Sequence, residues 1–148
     1  MIWERLKEHD TWYLYDIRLI NSILYIFPLD TAASIVDLAL RRLEDYKNFR
    51  PVSKLSANLQ INYLFLLIEN EEYLTALGVV DDLIAFSIKF QLYERLAAAY
   101  VRKGIILSHL DKEKTADYYE KGFEILAFVN NQGLTQGLKK EIKEHAML

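Results

Sequence analysis

Apolar residues recur at intervals of three and four along most of the chain, which is the spacing of one face of an α-helix. Pro28 ends the first of these segments because proline disfavours helical backbone in the residue before it, and Asp30 is expected as the N-cap of the next. Residues 50–53 are a further predicted break, and Gly133 is expected as the left-handed cap after the sixth segment. The pattern predicts helices at about residues 9–27, 31–47, 54–70, 73–90, 92–110, 114–129 and 134–146.

The predicted helices fall into three pairs of similar length, at about 9–49, 53–90 and 92–132, with a short turn inside each pair. Helical hairpins that repeat at a nearly constant interval are typical of solenoid proteins. We therefore predict an all-α fold, a TPR-like right-handed solenoid of antiparallel helix hairpins with about seven helices, in a single domain over residues 1–148. An ordinary helical bundle is the alternative that the pattern leaves open.

The first helix of each pair carries a sparse line of polar residues on one face, with members spaced at about i, i+4 and i+7. In a solenoid of hairpins the first helices of successive pairs lie side by side. The three lines are therefore expected to converge on one concave groove. The residues predicted to face this groove are Arg18, Asn21, Tyr25, Asn58, Asn62, Phe65, Arg95 and Arg102.

The residue types of this groove suggest the chemistry of a ligand. Asparagine offers both donors and an acceptor, so several along a groove can bind the N–H and C=O groups of an extended peptide whatever its side chains. Arginine adds a planar fork for a carboxylate, and Tyr25 and Phe65 supply apolar walls. The alternative is structural: each Asn or Arg satisfies a loop carbonyl, a helix end or a carboxylate of the chain itself. The spacing alone does not distinguish a peptide from an acidic small molecule.

Composition excludes several classes of function. The chain has 148 residues, with 18 Lys and Arg against 21 Asp and Glu and no Cys. This acidic balance argues against a nucleic-acid-binding surface, and the longest stretches without a charged residue, 55–68 and 125–138, are too short to cross a membrane. Without a Gly-rich phosphate loop, a His pair at ligand spacing or facing carboxylates, the sequence predicts no enzyme, no cofactor and no metal site.

The last predicted helix carries Leu134, Leu138 and Ile142 on one face, at i, i+4 and i+8. This apolar face either closes the end of the solenoid or pairs with a second copy of the chain. Both remain open at the level of the sequence, and twofold homodimers are the commonest symmetric assemblies.

The order of aromatic, Arg and Asn positions is distinctive in residues 12–21 (WYLYDIRLIN), 25–27 (YIF), 61–64 (INYL) and 71–73 (EEY). It resembles the C-terminal helical-repeat domain of Rgg/GadR/MutR-type transcriptional regulators, in the wider peptide-sensing group that includes PlcR. The resemblance covers about residues 9–146. It implies a cytoplasmic domain of a Gram-positive regulator that binds a short, largely apolar signalling peptide on its concave face and forms a homodimer.

The resemblance also implies which residues contact the peptide. Family contacts include an Arg in the first of these helices and Asn residues in the groove, which correspond here to Arg18 and to Asn21, Asn58 and Asn62. The family carries a helix-turn-helix domain before this region, and this chain begins at the first repeat helix. We therefore expect no direct contact with DNA by this chain and no membrane partner. The alternative function is a constitutive helical-repeat scaffold that binds a partner protein.

Overall fold

The structure is a computed structural model that describes residues 2–7, 12–47 and 51–147. These residues form helices joined by short turns and contain no β-strand, so the predicted all-α class is confirmed. The α-helices are α1 (Ile2–Lys7), α2 (Leu14–Ser22), α3 (Leu29–Leu43), α4 (Pro51–Glu69), α5 (Tyr73–Lys89), α6 (Tyr93–Leu110), α7 (Thr115–Val129) and α8 (Gln132–His145). Short 3₁₀ segments follow α2 and α3 and precede α7, at Leu24–Ile26, Glu44–Tyr46 and Lys112–Lys114.

The chain divides into two compact units, Met1–Leu66 and Leu67–Leu148. The first unit has a core formed by residues of α2, α3 and the start of α4, together with two tryptophans. The rings of Trp3 and Trp12 meet edge to face, 6.0 Å apart. The hydroxyl of Tyr46 donates a hydrogen bond of 2.6 Å to the carbonyl of Trp12, which ties the end of α3 to the segment before α2.

The helix α3 shows why this sequence folds as an amphipathic helix. Its buried residues recur at i, i+3, i+4, i+7 and i+11, while Asp37 and Arg41 lie on the exposed side and form an ion pair of 2.7 Å. One stripe therefore joins the core and the opposite stripe faces solvent. The buried residues are Ala32, Ile35, Val36, Ala39 and Leu43.

The second unit is built around α6, which packs against α5, α7 and α8 and is buried along most of its length. Two glycines allow α6 and α7 to approach closely. A Cβ atom at Gly122 would lie 2.7 Å from the carbonyl oxygen of Ala97, and one at Gly104 would lie 2.5 Å from the ring of Tyr119. The final helix places Leu134, Leu138 and Ile142 against α6 and α7 of the same unit. This apolar face therefore closes the unit.

The predicted bounds of the first helix are wrong. Residues 9–11 of the prediction lie outside the described residues, Trp12 and Tyr13 are not helical, and α2 ends at Ser22 rather than at residue 27. The hydroxyl of Ser22 donates to the carbonyl of Leu19 at 2.6 Å, and such a bond competes with the backbone hydrogen bonds of a helix. A 3₁₀ turn then continues the chain to Ile26.

Two predicted signals at helix starts are also corrected. The helix α3 begins at Leu29 with Pro28 as its N-cap, so Asp30 lies in the first turn. Its carboxylate interacts favourably there with the positive end of the helix dipole. The predicted break at 50–53 is wrong from Pro51 onward, because Pro51 is the first residue of α4. Proline is well suited to that position, where its missing N–H has no helical partner to lose.

Three turns share one backbone geometry. Glu71, Gln91 and Asn130 have φ values of 59°, 56° and 56°, in the left-handed region. In each turn the N–H of the following residue bonds the carbonyl five residues earlier, as in a Schellman motif. The expectation of Gly133 as the left-handed cap is therefore wrong: Asn130 takes that position, and Gly133 lies within α8.

Candidate ligand-binding site

A cavity of about 270 Å³ lies in the first unit, beside the C-terminal end of α2 and α4. The 3₁₀ turn after α2 forms part of its wall, because α2 ends early and the chain changes direction there. Four of the eight residues predicted to face a groove line this one cavity. The lining residues are Asn21, Ser22, Leu24, Tyr25, Asn62, Phe65 and Leu66.

The cavity contains a hydrogen-bonded pair of asparagines. Nδ2 of Asn62 on α4 donates to Oδ1 of Asn21 on α2, at 3.0 Å. This one bond uses a single N–H and a single acceptor, and neither side chain makes a further hydrogen bond to the described residues. The amide of Asn21 keeps both its N–H groups and Asn62 keeps its carbonyl oxygen. If both amides were turned over, the pair would present the same groups with the roles exchanged.

The apolar side of the cavity is held by the core of the first unit. Leu24 is 1% exposed and Leu66 is 9% exposed, and both belong to the core cluster, so this wall is fixed in place. Phe65 is half-buried and adds a ring. Tyr25 lines the cavity although its side chain is 72% exposed, which places its ring at the opening to solvent.

Two further predicted residues lie one helical turn from the asparagines without lining the cavity. Arg18 is exposed on α2, one turn before Asn21 and Ser22, and it forms no ion pair with any residue that the structure describes. Asn58 is half-buried on α4, one turn before Asn62, and interacts with other residues of the chain. The cation of Arg18 and the amide of Asn58 therefore lie on the same two helices as the asparagines that line the cavity, one turn closer to the N-terminus of each helix.

The last two predicted residues belong to the second unit. Arg95 is half-buried on α6 and has interactions of its own within the protein. Arg102 is 9% exposed, and its guanidinium donates two hydrogen bonds to the carboxylate of Glu141 on α8, at 2.9 and 3.0 Å. This arginine holds a carboxylate, as its residue type suggested, but the carboxylate is the chain's own. No pattern in the sequence indicates this partner, which lies 39 positions away.

A second, more open concavity of about 580 Å³ lies along α7 and was not anticipated from the sequence. Beside it, Nζ of Lys103 lies 4.7 Å from the centre of the Tyr118 ring and 2.6 Å from a carboxylate oxygen of Asp81. Burial lowers the pKa of Lys103, but the hydrogen bonds to Asp81 and Tyr118 and the charge of Asp81 raise it above its ordinary value. The lining residues are Lys114, Asp117, Tyr118, Glu120, Lys121 and Glu124.

The described part of the chain has neither a metal-ligand cluster nor a membrane-spanning helix. No three His, Cys, Asp or Glu side chains in residues 2–7, 12–47 and 51–147 lie together as metal ligands would. Over the same residues, no helix has both the length and the apolar character that crossing a membrane requires.

Comparison with known proteins shows that the chain matches a family model. The family model described as the C-terminal domain of the HTH-type transcriptional regulator Rgg matches residues 5–140. The matched region includes every residue that lines the cavity of the first unit. No curated protein and no solved structure matches the chain.

Proposed function

Because the chain belongs to the family of C-terminal domains of Rgg-type HTH transcriptional regulators, we propose that it binds a short, largely apolar signalling peptide and forms a homodimer. A domain of this family is a regulatory part of a transcriptional regulator. The observation that carries the peptide-binding proposal is the Asn21–Asn62 pair at the cavity of the first unit.

The pair is matched to one residue of an extended peptide. It leaves one amide N–H₂ and one carbonyl oxygen unbonded among the described residues, and an extended residue presents its own C=O acceptor and N–H donor on the same side of the chain. In a ligand residue bound there, the C=O accepts from Asn21 and the N–H donates to Asn62. Such recognition depends on the backbone of the ligand, so the same pair accepts peptides of different sequence.

The apolar wall of the cavity selects the side chain of the ligand residue that the two asparagines bind. At about 270 Å³ the cavity is slightly smaller than a typical pocket for a drug-sized ligand, so it receives one side chain and its peptide group rather than a whole peptide. Leu24, Phe65 and Leu66 offer that side chain an apolar environment. Burial of an aliphatic or aromatic side chain there contributes roughly 1.5–3 kcal/mol.

Arg18 supplies the charge of the site. It is an exposed cation one turn from Asn21, and a guanidinium binds a carboxylate through two parallel N–H groups. We assign it to an acidic residue or the C-terminal carboxylate of the peptide. Because Arg18 is exposed, the ion pair contributes roughly 0.2–1 kcal/mol and weakens with added salt.

Peptide binding regulates the protein if the two arrangements of the dimer bind the peptide with different affinity, because a ligand shifts a conformational equilibrium only by that difference. The alternative function, a constitutive scaffold whose polar residues order its own helices, draws on one observation. Arg102 has that structural role in its pair with Glu141. The peptide-binding function and the scaffold function therefore predict different roles for Asn21, Asn62 and Arg18.

Isothermal titration of the whole chain with short apolar peptides that carry one acidic residue tests the proposal. We expect micromolar binding by the wild type and about tenfold weaker binding by Asn62→Ala, since the ligand loses a hydrogen bond and Asn21 loses the partner that orients it. Arg18→Ala is expected to weaken binding less, and only at low salt.

The matched control is Arg41→Ala, which removes an arginine from the exposed side of α3 and should leave the affinity unchanged. Circular dichroism confirms that each variant is folded. Absence of binding across the panel, or equal affinity of wild type and Asn62→Ala, would contradict the peptide-binding proposal and favour the scaffold.

A further inference from the structure

The cavity of the first unit lies at the C-terminal end of α2, and this end of the helix is electronegative. The last carbonyl groups of a helix have no hydrogen-bond partner within it, and the helix dipole places partial negative charge there. The last turn of α2 carries no basic side chain that would compensate for this charge. None of the described residues that line the cavity is charged. A ligand group bound at this end of α2 is therefore favoured if it carries positive charge.

Ser22 adds a hydrogen-bond acceptor to the cavity. It is the last residue of α2, and its hydroxyl donates its one proton to the carbonyl of Leu19 at 2.6 Å. Because this proton is already used, the hydroxyl oxygen can only accept hydrogen bonds from a ligand. Ser22 lines the same cavity as the pair of Asn21 and Asn62. The cavity therefore offers a ligand the oxygen of Ser22 in addition to the groups of the two asparagines.

A ligand in the cavity therefore meets two acceptor oxygens, of Asn62 and Ser22, and the complete amide N–H₂ of Asn21. This balance of acceptors and donors is the same if both amides are turned over. An internal residue of a peptide has one N–H, so it can satisfy only one of the two acceptors. The first residue of a peptide carries an α-ammonium group at neutral pH, with three N–H groups, and a carbonyl oxygen. It satisfies both acceptors and the amide, and its third N–H is left for water at the opening.

The size and the apolar wall of the cavity suit the end of a peptide. The volume of about 270 Å³ holds a single residue. A terminal residue has one neighbouring residue that must lie outside the cavity, whereas an internal residue has two. The apolar wall of Leu24, Phe65 and Leu66 lies in the same cavity as the acceptor oxygens. A residue bound there can therefore bury an apolar side chain while its backbone ammonium donates to those oxygens.

We propose that the cavity binds the N-terminal residue of the peptide, through a free α-ammonium group and an apolar side chain. The inference rests on the peptide binding in the proposed function and adds which end of the peptide enters the cavity. The ammonium donates to Asn62 and Ser22, and the first carbonyl of the peptide accepts from Asn21. Arg18 lies on α2 one turn closer to the N-terminus of the helix, so the carboxylate that it binds belongs to a later residue of the peptide.

Blocking the amine of the peptide tests the inference. Isothermal titration of the whole chain compares the tightest-binding peptide of the apolar panel in its free and N-acetylated forms. Acetylation removes the positive charge and two N–H groups, so we expect the Kd to rise at least about tenfold. A glycine added before the first residue separates the ammonium from the apolar side chain and should weaken binding similarly. A glycine added after the last residue is the control of identical composition and should change the Kd less than about twofold.

Substitutions at Ser22 test where the ammonium binds. Ser22→Ala removes one acceptor and should weaken binding of the free peptide about fivefold, while the affinity of the acetylated peptide stays unchanged. Ser22→Thr keeps the hydroxyl and should keep the preference for the free peptide. The matched control is Ser34→Ala, at an exposed serine of α3 whose hydroxyl also donates to a carbonyl of its own helix, and it should change neither affinity. An equal loss for both peptides in Ser22→Ala would show that Ser22 only shapes the turn, and would overturn its role as an acceptor.

The outcomes separate this inference from the proposed function. Equal affinity of the wild type for the free and the acetylated peptide overturns the N-terminal assignment and leaves peptide binding standing. Absence of binding by every peptide of the panel overturns both. A preference for the free peptide that is lost in Ser22→Ala and kept in Ser34→Ala supports both, because it requires a bound peptide whose ammonium lies at the end of α2.

Discussion

The guanidinium of Arg102 on α6 and the carboxylate of Glu141 on α8 form a two-point ion pair across 39 positions of sequence. The arginine side chain is 10% exposed and the glutamate side chain 23%. The pair therefore differs from the ion pair of Arg41 with Asp37, whose two side chains are each 69% exposed. These two pairs allow the effect of burial to be measured on the same chemistry.

We expect Arg102→Met to lower the free energy of unfolding by about 3 kcal/mol, the low end of the range for breaking a buried pair, because Glu141 retains some contact with water. Arg41→Met, the exposed control, should cost less than about 1 kcal/mol. The double variant Arg102→Met/Glu141→Leu should recover most of the loss, since no charge is then left unpaired. Urea unfolding measures all three, and equal losses for Arg102→Met and Arg41→Met would contradict the assignment.

The helices of the second unit were predictable from the sequence, because their apolar spacing is regular and polar turns separate them. The predicted bounds of the helices from residue 73 to residue 146 agree with α5 to α8 within about two residues. The first helix was not predictable. Its apolar spacing continues to Phe27, whereas Ser22 and the following 3₁₀ turn end α2 early.

The candidate site was predictable in part for a related reason. Helical spacing alone places Asn21 on one face of α2 and Asn62 on one face of α4, and the cavity brings them together. The spacing could not show that Arg102 already has a partner, because pairing between distant helices depends on packing. It also could not show that Glu71 and Gln91 adopt a left-handed backbone, for which glycine is the usual signal.

This turn geometry leads to a prediction at Gln91. Gln91 has a φ of 56°, and glycine reaches that region without the steric cost that a Cβ atom brings. We expect Gln91→Gly to raise the free energy of unfolding by about 0.5–1 kcal/mol, after the larger entropy of glycine in the unfolded chain is subtracted. The same substitution at Gln136, inside α8, should instead lower stability by about 0.5–1 kcal/mol. A loss of stability at both positions would contradict the argument.

The close approach of α6 and α7 leads to a prediction at Gly122. A Cβ atom there would lie 2.7 Å from the backbone oxygen of Ala97, which cannot move without moving α6. We expect Gly122→Ala to destabilise the protein by about 1–3 kcal/mol. Gly78→Ala is the matched control in α5, where a Cβ atom meets nothing within 4 Å, and it should stabilise by up to about 1 kcal/mol. Thermal unfolding measures the stability of both variants relative to the wild type. A Gly122→Ala variant more stable than the wild type would disprove the close contact.

The α6–α7 contact also contains a tyrosine that should make the protein sensitive to alkaline pH. Burial raises the pKa of Tyr119 above its ordinary value near 10, and its hydroxyl has no hydrogen-bond partner among the described residues. Above pH 10 the unfolded chain therefore loses this proton more readily than the folded chain. Because the unfolded state then binds fewer protons, stability falls as the pH rises from 10 through the pKa of the folded state.

Tyr119→Phe removes both the unpaired hydroxyl and this titration. We expect the variant to be as stable as the wild type or about 1 kcal/mol more stable at pH 7, because a buried polar group without a partner is lost. Its loss of stability between pH 9 and pH 11 should be smaller than that of the wild type. The matched control is Tyr15→Phe, on the exposed surface of α2, which should leave the alkaline loss unchanged. Urea unfolding across this pH range measures the difference, and parallel profiles for wild type and Tyr119→Phe would show that Tyr119 ionises equally in both states.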